Sequence, residues 1–527
     1  MPKFATLANL SGHFAAAAPH KTALVFGDLR SDYAAYHDRV LHTVGALRGA
    51  GLGAGDRVGW LGLNHPDYVV LLQACLRIGA VLVAINARLV AREISFILGD
   101  AGIKLLVTET AFIDLVIEAR AGTAIETVVL LDARFEGRPA FDGWVTAATS
   151  DATPHDVKPD DIALQMYTSG TTGFPKGALL THANMLGTIE KGALTGEDWG
   201  LWDENDVALV AMPLFHIGGT GWALHALEAG ATIVILGKPD VADIIATVEN
   251  ERITKMFAVP AVLNMILDHP RGMGADLTSL TELLYGASPI PLDVLRRSML
   301  KFPNAQFVQC YGATETTGTV VYLPPADHHP DGTPRMLGCG KPFPGNEVRI
   351  IGEHRASLPV GAVGEIAIAS VSVMAGYHDR AEATAASVVA LEDGGRWYLT
   401  GDAGYLDADG YLYIYDRVKD MIVSGAENIY PAEVENALHE HPGVKDCAVI
   451  GVPDARWGEA VKAIIVRAEG ADPTAAELIK FARARIAAFK VPKSVDFIDE
   501  LPRNASGKIL KKELRQPYWP EGERQVG

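Results

Sequence analysis

The segment Tyr167-Thr168-Ser169-Gly170-Thr171-Thr172-Gly173-Phe174-Pro175-Lys176-Gly177 concentrates the chemistry of anion binding. Its three glycines allow backbone N–H groups to turn toward a bound anion without side-chain interference. Thr168, Ser169, Thr171 and Thr172 add hydroxyl donors, and Lys176 adds positive charge. Such a loop suits a triphosphate or pyrophosphate. It is not the P-loop of Gly-x4-Gly-Lys-Ser/Thr, because Lys176 follows Pro175 and precedes Gly177.

Further along the chain, other short segments join small residues to single polar ones. They are Met212-Pro213-Leu214-Phe215-His216, Tyr285-Gly286-Ala287-Ser288-Pro289 and Tyr311-Gly312-Ala313-Thr314-Glu315. Tyr398-Leu399-Thr400-Gly401-Asp402, Arg417-Val418-Lys419-Asp420 and Asn504-Ala505-Ser506-Gly507-Lys508 follow. Each alone has a plain structural reading. Tyr311 could be core, Glu315 a cap, Asp402 a turn residue, His216 a buried histidine and Lys508 a solvated lysine.

These segments need a scaffold, and the intervening sequence predicts one. Arg57 to Leu63 reads as a strand, Pro66 to Ile78 as a helix closed by Gly79, and Ala80 to Ile85 as a strand. Strand patterns recur at Lys104–Val107, Thr127–Leu131, Ile162–Tyr167, Val207–Met212, Ala231–Leu236, Lys255–Val259 and Gln306–Gln309, with helical spacing between most of them. That alternation predicts an α/β core of parallel-rich sheets. From about Gly332 to Tyr415 short strands with Gly and Pro turns predict a β-rich subdomain, with one Ala-rich helix near Ala381 to Val389. After Asp416 a small α+β unit is expected: a helix at Pro431–His439, strands at Cys447–Val452 and Ala460–Val466, and a helix at Thr474–Ala488. The expected organisation is a multi-subdomain N-terminal domain over 1–415, a hinge at 416–420 and a small mobile domain over 421–527.

Composition narrows the function classes. The chain has 527 residues and a net charge of −18, which disfavours a general nucleic-acid binder. The first 415 residues hold −17 of that charge. Lys480 to Arg515 is locally basic, which suits a polyanionic small ligand. Cys75, Cys310, Cys339 and Cys447 are scattered, with no metal-binding spacing, and read as reduced thiols of a cytoplasmic protein. The apolar stretch Tyr68 to Val90 is interrupted by Gln73, Arg77, Asn86 and Arg88, so it reads as buried helix plus strand, with no transmembrane segment expected.

The ordered set of segments resembles the adenylate-forming superfamily of acyl-CoA synthetases, luciferases and peptide-synthetase adenylation domains, from about Phe14 to Leu514. The resemblance implies two half-reactions. A carboxylate attacks the α-phosphorus of ATP, giving acyl-adenylate and pyrophosphate; a thiol then attacks the mixed anhydride. Lys508 would bridge carboxylate and α-phosphate. Thr314 would bind phosphate, and Glu315 would hold Mg²⁺. Thr168 to Gly173 with Lys176 would cradle the phosphates. Gly286, Ala287 and Ser288 would line the adenine, Tyr311 would stack on it, Asp402 would accept the ribose hydroxyls and Arg417 would lie nearby. Lys419 would mark the hinge. Ser424, Gly425, Trp457, Phe489, Lys490 and Lys493 resemble positions that contact CoA, although one basic position there reads Val491.

The same resemblance places His216, Gly218, Gly219, Trp222, Gly286 and Gly312 around the acyl group. No carboxylate occurs from Phe215 to Leu227, so the acid is expected to lack an α-amino group. Gly218 stands about where aromatic-acid ligases place a tyrosine, which predicts room for a medium or long alkyl chain or a bulky acid. An aryl- or arylpropenoate-CoA ligase, a carrier-protein loader and a luciferase-like oxidative enzyme remain the alternatives. The implied partners are a carboxylic acid, ATP, Mg²⁺ and CoA, with a homodimer left open.

Overall fold

Runs of β-branched residues between amphipathic helices build two sheets in the first part of the chain. The structure, a computed structural model, describes residues 4–168, 175–392, 394–417, 420–424, 427–454, 458–503 and 509–519. The chain divides into two compact units. The first comprises Met1–Glu347 and Ile368–Tyr398, the second Val348–Ala367 and the residues from Leu399 onward.

In the first unit a nine-stranded sheet contains a block of parallel strands in the order Gln306–Ala313, Glu282–Gly286, Lys255–Ala258, Val207–Val210, Thr232–Ile235, Thr22–Phe26. Antiparallel strands Gly318–Leu323 and Lys341–Pro342 extend one side, and Leu29–Asp32 closes the other. A seven-stranded sheet runs Gly376–Tyr377, Lys176–Thr181, Ile162–Thr168, Val81–Ile85, Arg57–Leu61, Leu105–Thr108, Thr127–Leu130. Its last five strands are parallel and its first two antiparallel. Parallel strands in one sheet end at the same edge. The loops that follow them therefore converge, and that edge is where open α/β sheets place their ligands.

The helix Pro66–Ile78 is buried at every position, with proline in its first turn and Gly79 at φ +72° closing it. Its polar residues are all used inside the protein. Gln73 accepts from the Ser11 N–H and donates to the Leu7 carbonyl, Arg77 donates to Asn9 Oδ1, and Asp67 accepts from Arg39. Two of the interruptions that argued against a membrane span, Gln73 and Arg77, are thus contacts that dock the N-terminal segment. Among the described residues no helix is long and apolar enough to cross a membrane. All four cysteines are buried and free.

The second unit takes in most of the sheet formed by the strands Glu347–Ile351, Gly364–Ala369, Arg396–Leu406 and Leu412–Arg417. A second sheet runs Glu427–Ile429, Ile422–Ser424, Gly458–Arg467, Val444–Asp454, with Ser494–Phe497 parallel to Gly458–Arg467. The helices Pro431–His439 and Ala475–Arg483 cover its apolar residues Val434, Leu438, Val449, Ile465 and Leu478.

Several elements differ from the sequence expectation. The Ala-rich helix ends at Ser387, and Val388–Ala390 pairs instead with Arg396–Tyr398, because β-branched residues are better placed in an extended strand. The helix expected to reach Ala488 stops at Arg483. Gln306–Ala313 runs four residues past its expected end, since Tyr311, Gly312 and Ala313 pair with Gly318–Val321.

Candidate active site

The strands Val207–Val210, Lys255–Ala258, Glu282–Gly286 and Gln306–Ala313 end together at one edge. Three of the segments singled out from sequence are the continuations of these strands: Met212–His216, Gly286–Ser288 and Tyr311–Glu315. Gly286 pairs with Cys310, so the second and third lie on neighbouring strands. A Cβ on Gly286 would stand 2.2 Å from the Cys310 carbonyl oxygen, and one on Gly312 only 1.9 Å from that of Gly318. Neither position admits a side chain without moving backbone. Ala287 sits at φ +67°, a conformation a non-glycine residue adopts only when its surroundings impose it.

Glu315 is the best-defined polar group at this edge. It is 8 % exposed and lies in a short helical turn, Thr314–Thr316, with Thr314 half-buried beside it. Its Oε1 accepts from the Thr168 hydroxyl at 3.0 Å and from the Tyr377 phenol at 2.9 Å. Its backbone carbonyl accepts from the Met374 N–H at 2.8 Å. Burial, with the Glu315 carboxylate beside it, raises the Tyr377 phenol well above its usual pKa, which keeps it a donor. Both hydrogen bonds fall on one oxygen. Oε2 has no partner among the described residues, and it is free to meet a cation.

Thr168 is the last residue of its strand, and Lys176 opens the next, antiparallel one. The Lys176 ammonium lies 5.0 Å from the centre of the Tyr377 ring. The base of the phosphate-type loop is thereby tied to Glu315 through Thr168 and Tyr377. Ser169, Gly170, Thr171, Thr172 and Gly173 lie outside the described residues. Among those described, no group of three His, Cys, Asp or Glu side chains could enclose a metal. One carboxylate oxygen with phosphate oxygens and water is, however, the usual ligation of Mg²⁺ beside a nucleotide.

His216 caps the helix Ile217–Ala229 in extended backbone. Burial, with Arg88 adding to it, pushes the imidazole down to about 4, so the ring is neutral at pH 7. Its Nε2 is buried with no hydrogen-bond partner among the described residues. Such an atom is costly unless something not yet present pairs with it. The loop before it is fixed by Asn64, whose amide donates to the Met212 carbonyl and whose Oδ1 accepts from the Leu214 N–H. Thr220 donates to the Leu214 carbonyl and shares a hydrogen bond with Tyr68. A Cβ on Gly219 would lie 2.2 Å from the Pro213 carbonyl oxygen, so glycine is required by the tight turn there.

Gly218 does not face an open space. A Cβ there would meet Phe257 Cε1 at 3.0 Å and Met212 Cε at 3.7 Å. The room expected from the missing tyrosine is partly filled by Phe257, from the neighbouring strand. Trp222 packs 6.1 Å from Phe257 and edge-on to Trp202, which stacks on His225 and donates to Glu282. Asn64, Phe257 and Tyr377 escaped the sequence reading because each is remote in sequence from the segment it supports. The only local signal for Tyr377 was its place in a Gly-Tyr pair.

In the second unit Asp402 follows Gly401, which adopts φ +70°. The Asp402 N–H donates to the Thr400 hydroxyl, and the Gly401 N–H to Glu365. Asp402 pairs with Arg417 across the antiparallel strands. Lys490 is held by both oxygens of Glu433 at 2.7 Å, Phe489 is exposed, and the Lys493 N–H donates to the Val461 carbonyl. Val491 is buried in the core of this unit, which explains why no basic residue stands there. Ser424 pairs with Glu427 and Gly458. Lys419, Gly425, Trp457 and Lys508 lie outside the described residues. Arg503 and Ile509, both described, pair in an isolated antiparallel bridge.

Residues 12–378 match the AMP-binding enzyme family, and residues 433–508 match its C-terminal domain. The chain belongs to this adenylate-forming family. It is an ATP-binding, AMP-forming acid–thiol ligase. This AMP-binding enzyme is 41 % identical to a fatty acid–[acyl-carrier-protein] ligase, ScoC, of Streptomyces coeruleorubidus, over all of this chain and 99 % of that protein. It is also 41 % identical to a feruloyl-CoA synthase of an Amycolatopsis species, over 95 % of this chain and 96 % of that one. The crystal structure of ATP-bound MatB from Rhodopseudomonas palustris superposes with a TM-score of 0.85, at 31 % identity, over 97 % of this chain and 99 % of that one.

Proposed function

We propose that this AMP-binding enzyme activates a medium- or long-chain fatty acid or a bulky carboxylic acid with ATP, and passes the acyl group to CoA. The observation that carries the substrate class is the apolar, carboxylate-free set Met212, Ile217, Gly218, Trp222 and Phe257 beside the unpaired His216 Nε2. Such a set takes hydrocarbon and offers nothing to an α-ammonium group. The neutral His216 imidazole would orient the acid at the mouth of this set.

Adenylation joins a carboxylate to a polyanion, so its barrier is largely electrostatic. Lys508 would neutralise the carboxylate and α-phosphate, Lys176 and the loop N–H groups the outer phosphates, and Glu315 Oε2 would hold Mg²⁺. When bound, that ion supplies charge neutralisation at the phosphate oxygens. Thr168 and Tyr377 keep Glu315 in place by hydrogen bonds to its Oε1. Tyr311 and the Gly286–Ser288 turn would receive the adenine, and Asp402, near Arg417, the ribose. Residues 421–527 would then turn about Lys419 within 416–420, withdrawing Lys508 and presenting Ser424, Gly425, Trp457, Phe489 and Lys493 to the thiol substrate. Such an exchange is a hinge motion between two catalytic states.

A second acceptor is favoured by a specific observation. Lys490 is committed to Glu433 and Val491 is core, which leaves fewer cations for the phosphates of CoA. A phosphopantetheinyl carrier protein needs fewer. The test is mass spectrometry of one reaction containing ATP, Mg²⁺, pooled aliphatic and aryl acids, and either CoA or a phosphopantetheinylated carrier. Acyl-CoA products support the main reading. Acyl-carrier without acyl-CoA supports the second, and, with amino acids added to the same pool, products only from amino acids would overturn both.

A further inference from the structure

Lys191 opens the short helix Lys191–Leu194, one turn beyond Thr188 of the helix His182–Ile189. It is 2 % exposed. Among the described residues its ammonium has one partner, the backbone carbonyl of Thr319 at 3.0 Å. Among the described residues no carboxylate pairs with it, and burial pushes its pKa down to about 7. Other deeply placed lysines are paired with acids: Lys255 with Glu282 at 2.9 Å and Lys462 with Asp496 at 2.8 Å. A lysine has up to three donors, and here one is used. Burying an amine so poorly satisfied is costly, and a structural tie to one carbonyl does not need a charged side chain.

Its position gives the cost a purpose. Thr319 pairs with Gly312 across the antiparallel strands. The adjoining Gly318 turns its bare face toward Ile217 Cγ1 and Thr188 Cγ2, each 3.8 Å from where a Cβ would stand. Ile217 follows His216 at the start of the helix that carries Gly218, Gly219 and Trp222. The amine is thus tied to the residue next to Gly318, the glycine that faces Ile217 of the apolar set. The hydroxyl-bearing Thr188 is on its own side.

We propose that Lys191 is a specificity-determining residue that receives an acceptor oxygen at the end of the acid remote from the reacting carboxylate. The oxygen belongs to a ketone, a hydroxyl or a second carboxylate. This deepens the reading of an apolar acyl site and rests on it: the chain of the acid lies on Met212, Trp222 and Phe257, and its oxygenated tail reaches the spare N–H groups of Lys191. A hydrogen bond from a charged donor in a buried site discriminates by about tenfold to a hundredfold.

The test is equilibrium binding, in the presence of AMP and without ATP or CoA so that no adenylate forms, of matched acids from six to twelve carbons. Each length is measured as the plain acid, the acid with a ketone next to the terminal methyl, and the α,ω-dicarboxylate. Wild type is expected to bind an oxygen-tailed acid at least tenfold tighter than the plain acid at its best length. Lys191→Met is expected to erase that ratio. Lys191→Gln, which keeps an N–H donor, is expected to retain the preference for the ketone and lose that for the dicarboxylate. Three results would overturn the proposal: no oxygen preference in wild type at any length, no binding of any acid of the series, or a ratio unchanged in Lys191→Met. The last, with a lowered melting temperature, would make Lys191 a mere anchor of its helix. Preferential binding of an acid that yields no thioester when ATP, Mg²⁺ and CoA or a phosphopantetheinylated carrier are then supplied would leave this inference standing and refute the proposed substrate class.

Discussion

Replacing Glu315 by glutamine separates a structural role from a metal-holding one. In the structure both hydrogen bonds to the side chain fall on Oε1, from Thr168 at 3.0 Å and Tyr377 at 2.9 Å. An amide oxygen accepts both equally well, so the fold should lose no more than about 1 kcal/mol. Alanine, in contrast, would strand two buried donors, at about 1–3 kcal/mol each. What glutamine cannot do is place an anionic oxygen where Oε2 stands; it offers an NH₂ group there instead. Losing one positioned electrostatic group commonly costs about a hundredfold to a thousandfold in turnover, or roughly 3–4 kcal/mol. The assay is ATP–pyrophosphate exchange over a range of Mg²⁺ concentrations, beside thermal unfolding. Glu315→Gln should melt close to wild type while exchange falls by that factor and needs more Mg²⁺. Unchanged exchange would refute the metal role. A large fall in melting temperature would show that the charge itself holds the Thr168–Glu315–Tyr377 contacts.

Lys508→Ala should nearly abolish adenylation yet spare thioester formation from preformed acyl-adenylate; equal loss in both assays would remove the assigned role. Phe257→Ala should open the space against Gly218 and raise kcat/KM for longer acids relative to shorter ones, about tenfold over one or two methylenes, and an unchanged chain-length profile would remove Phe257 from the acyl site. Acid should destabilise the protein before its carboxylates titrate. Burial holds His182, His216 and His328 at about 4 and His225 at about 3, against an ordinary value near 6.5. The unfolded chain therefore takes up protons that the folded one refuses, and stability should fall as pH drops from about 6.5 to 4. Glu282, raised to about 7 by burial, opposes this with a single proton. A melting temperature flat across that window would contradict the burial of these rings.

The segments that carry chemistry were legible in sequence because their constraints are local. A glycine that backbone approaches within 2.2 Å, as at Gly219, Gly286 and Gly312, admits no other residue, so the small-residue strings stand out. The alternation of strand and helix was equally legible, since burial on both faces of a parallel strand demands an unbroken apolar run, and a helix such as Pro66–Ile78 announces both its ends. Strand ends were not, because the length of Gln306–Ala313 is set by what Gly318–Val321 offers across the ladder. The same is true of the groups that complete the site. Tyr377 meets Glu315 across 62 residues, Asn64 holds the Met212–Leu214 turn across about 150, and Phe257 fills the space in front of Gly218. Lys191 has no local signature at all. Its isolation exists only because Thr319, 128 residues later, closes over it. Sequence by itself determined which reaction the chain is built for, since that depends on residue types at fixed spacing. The tertiary structure decided which side chains hold those residues still and what surrounds the acid. Desolvation and contact are properties of neighbours in space, which one-dimensional spacing does not encode.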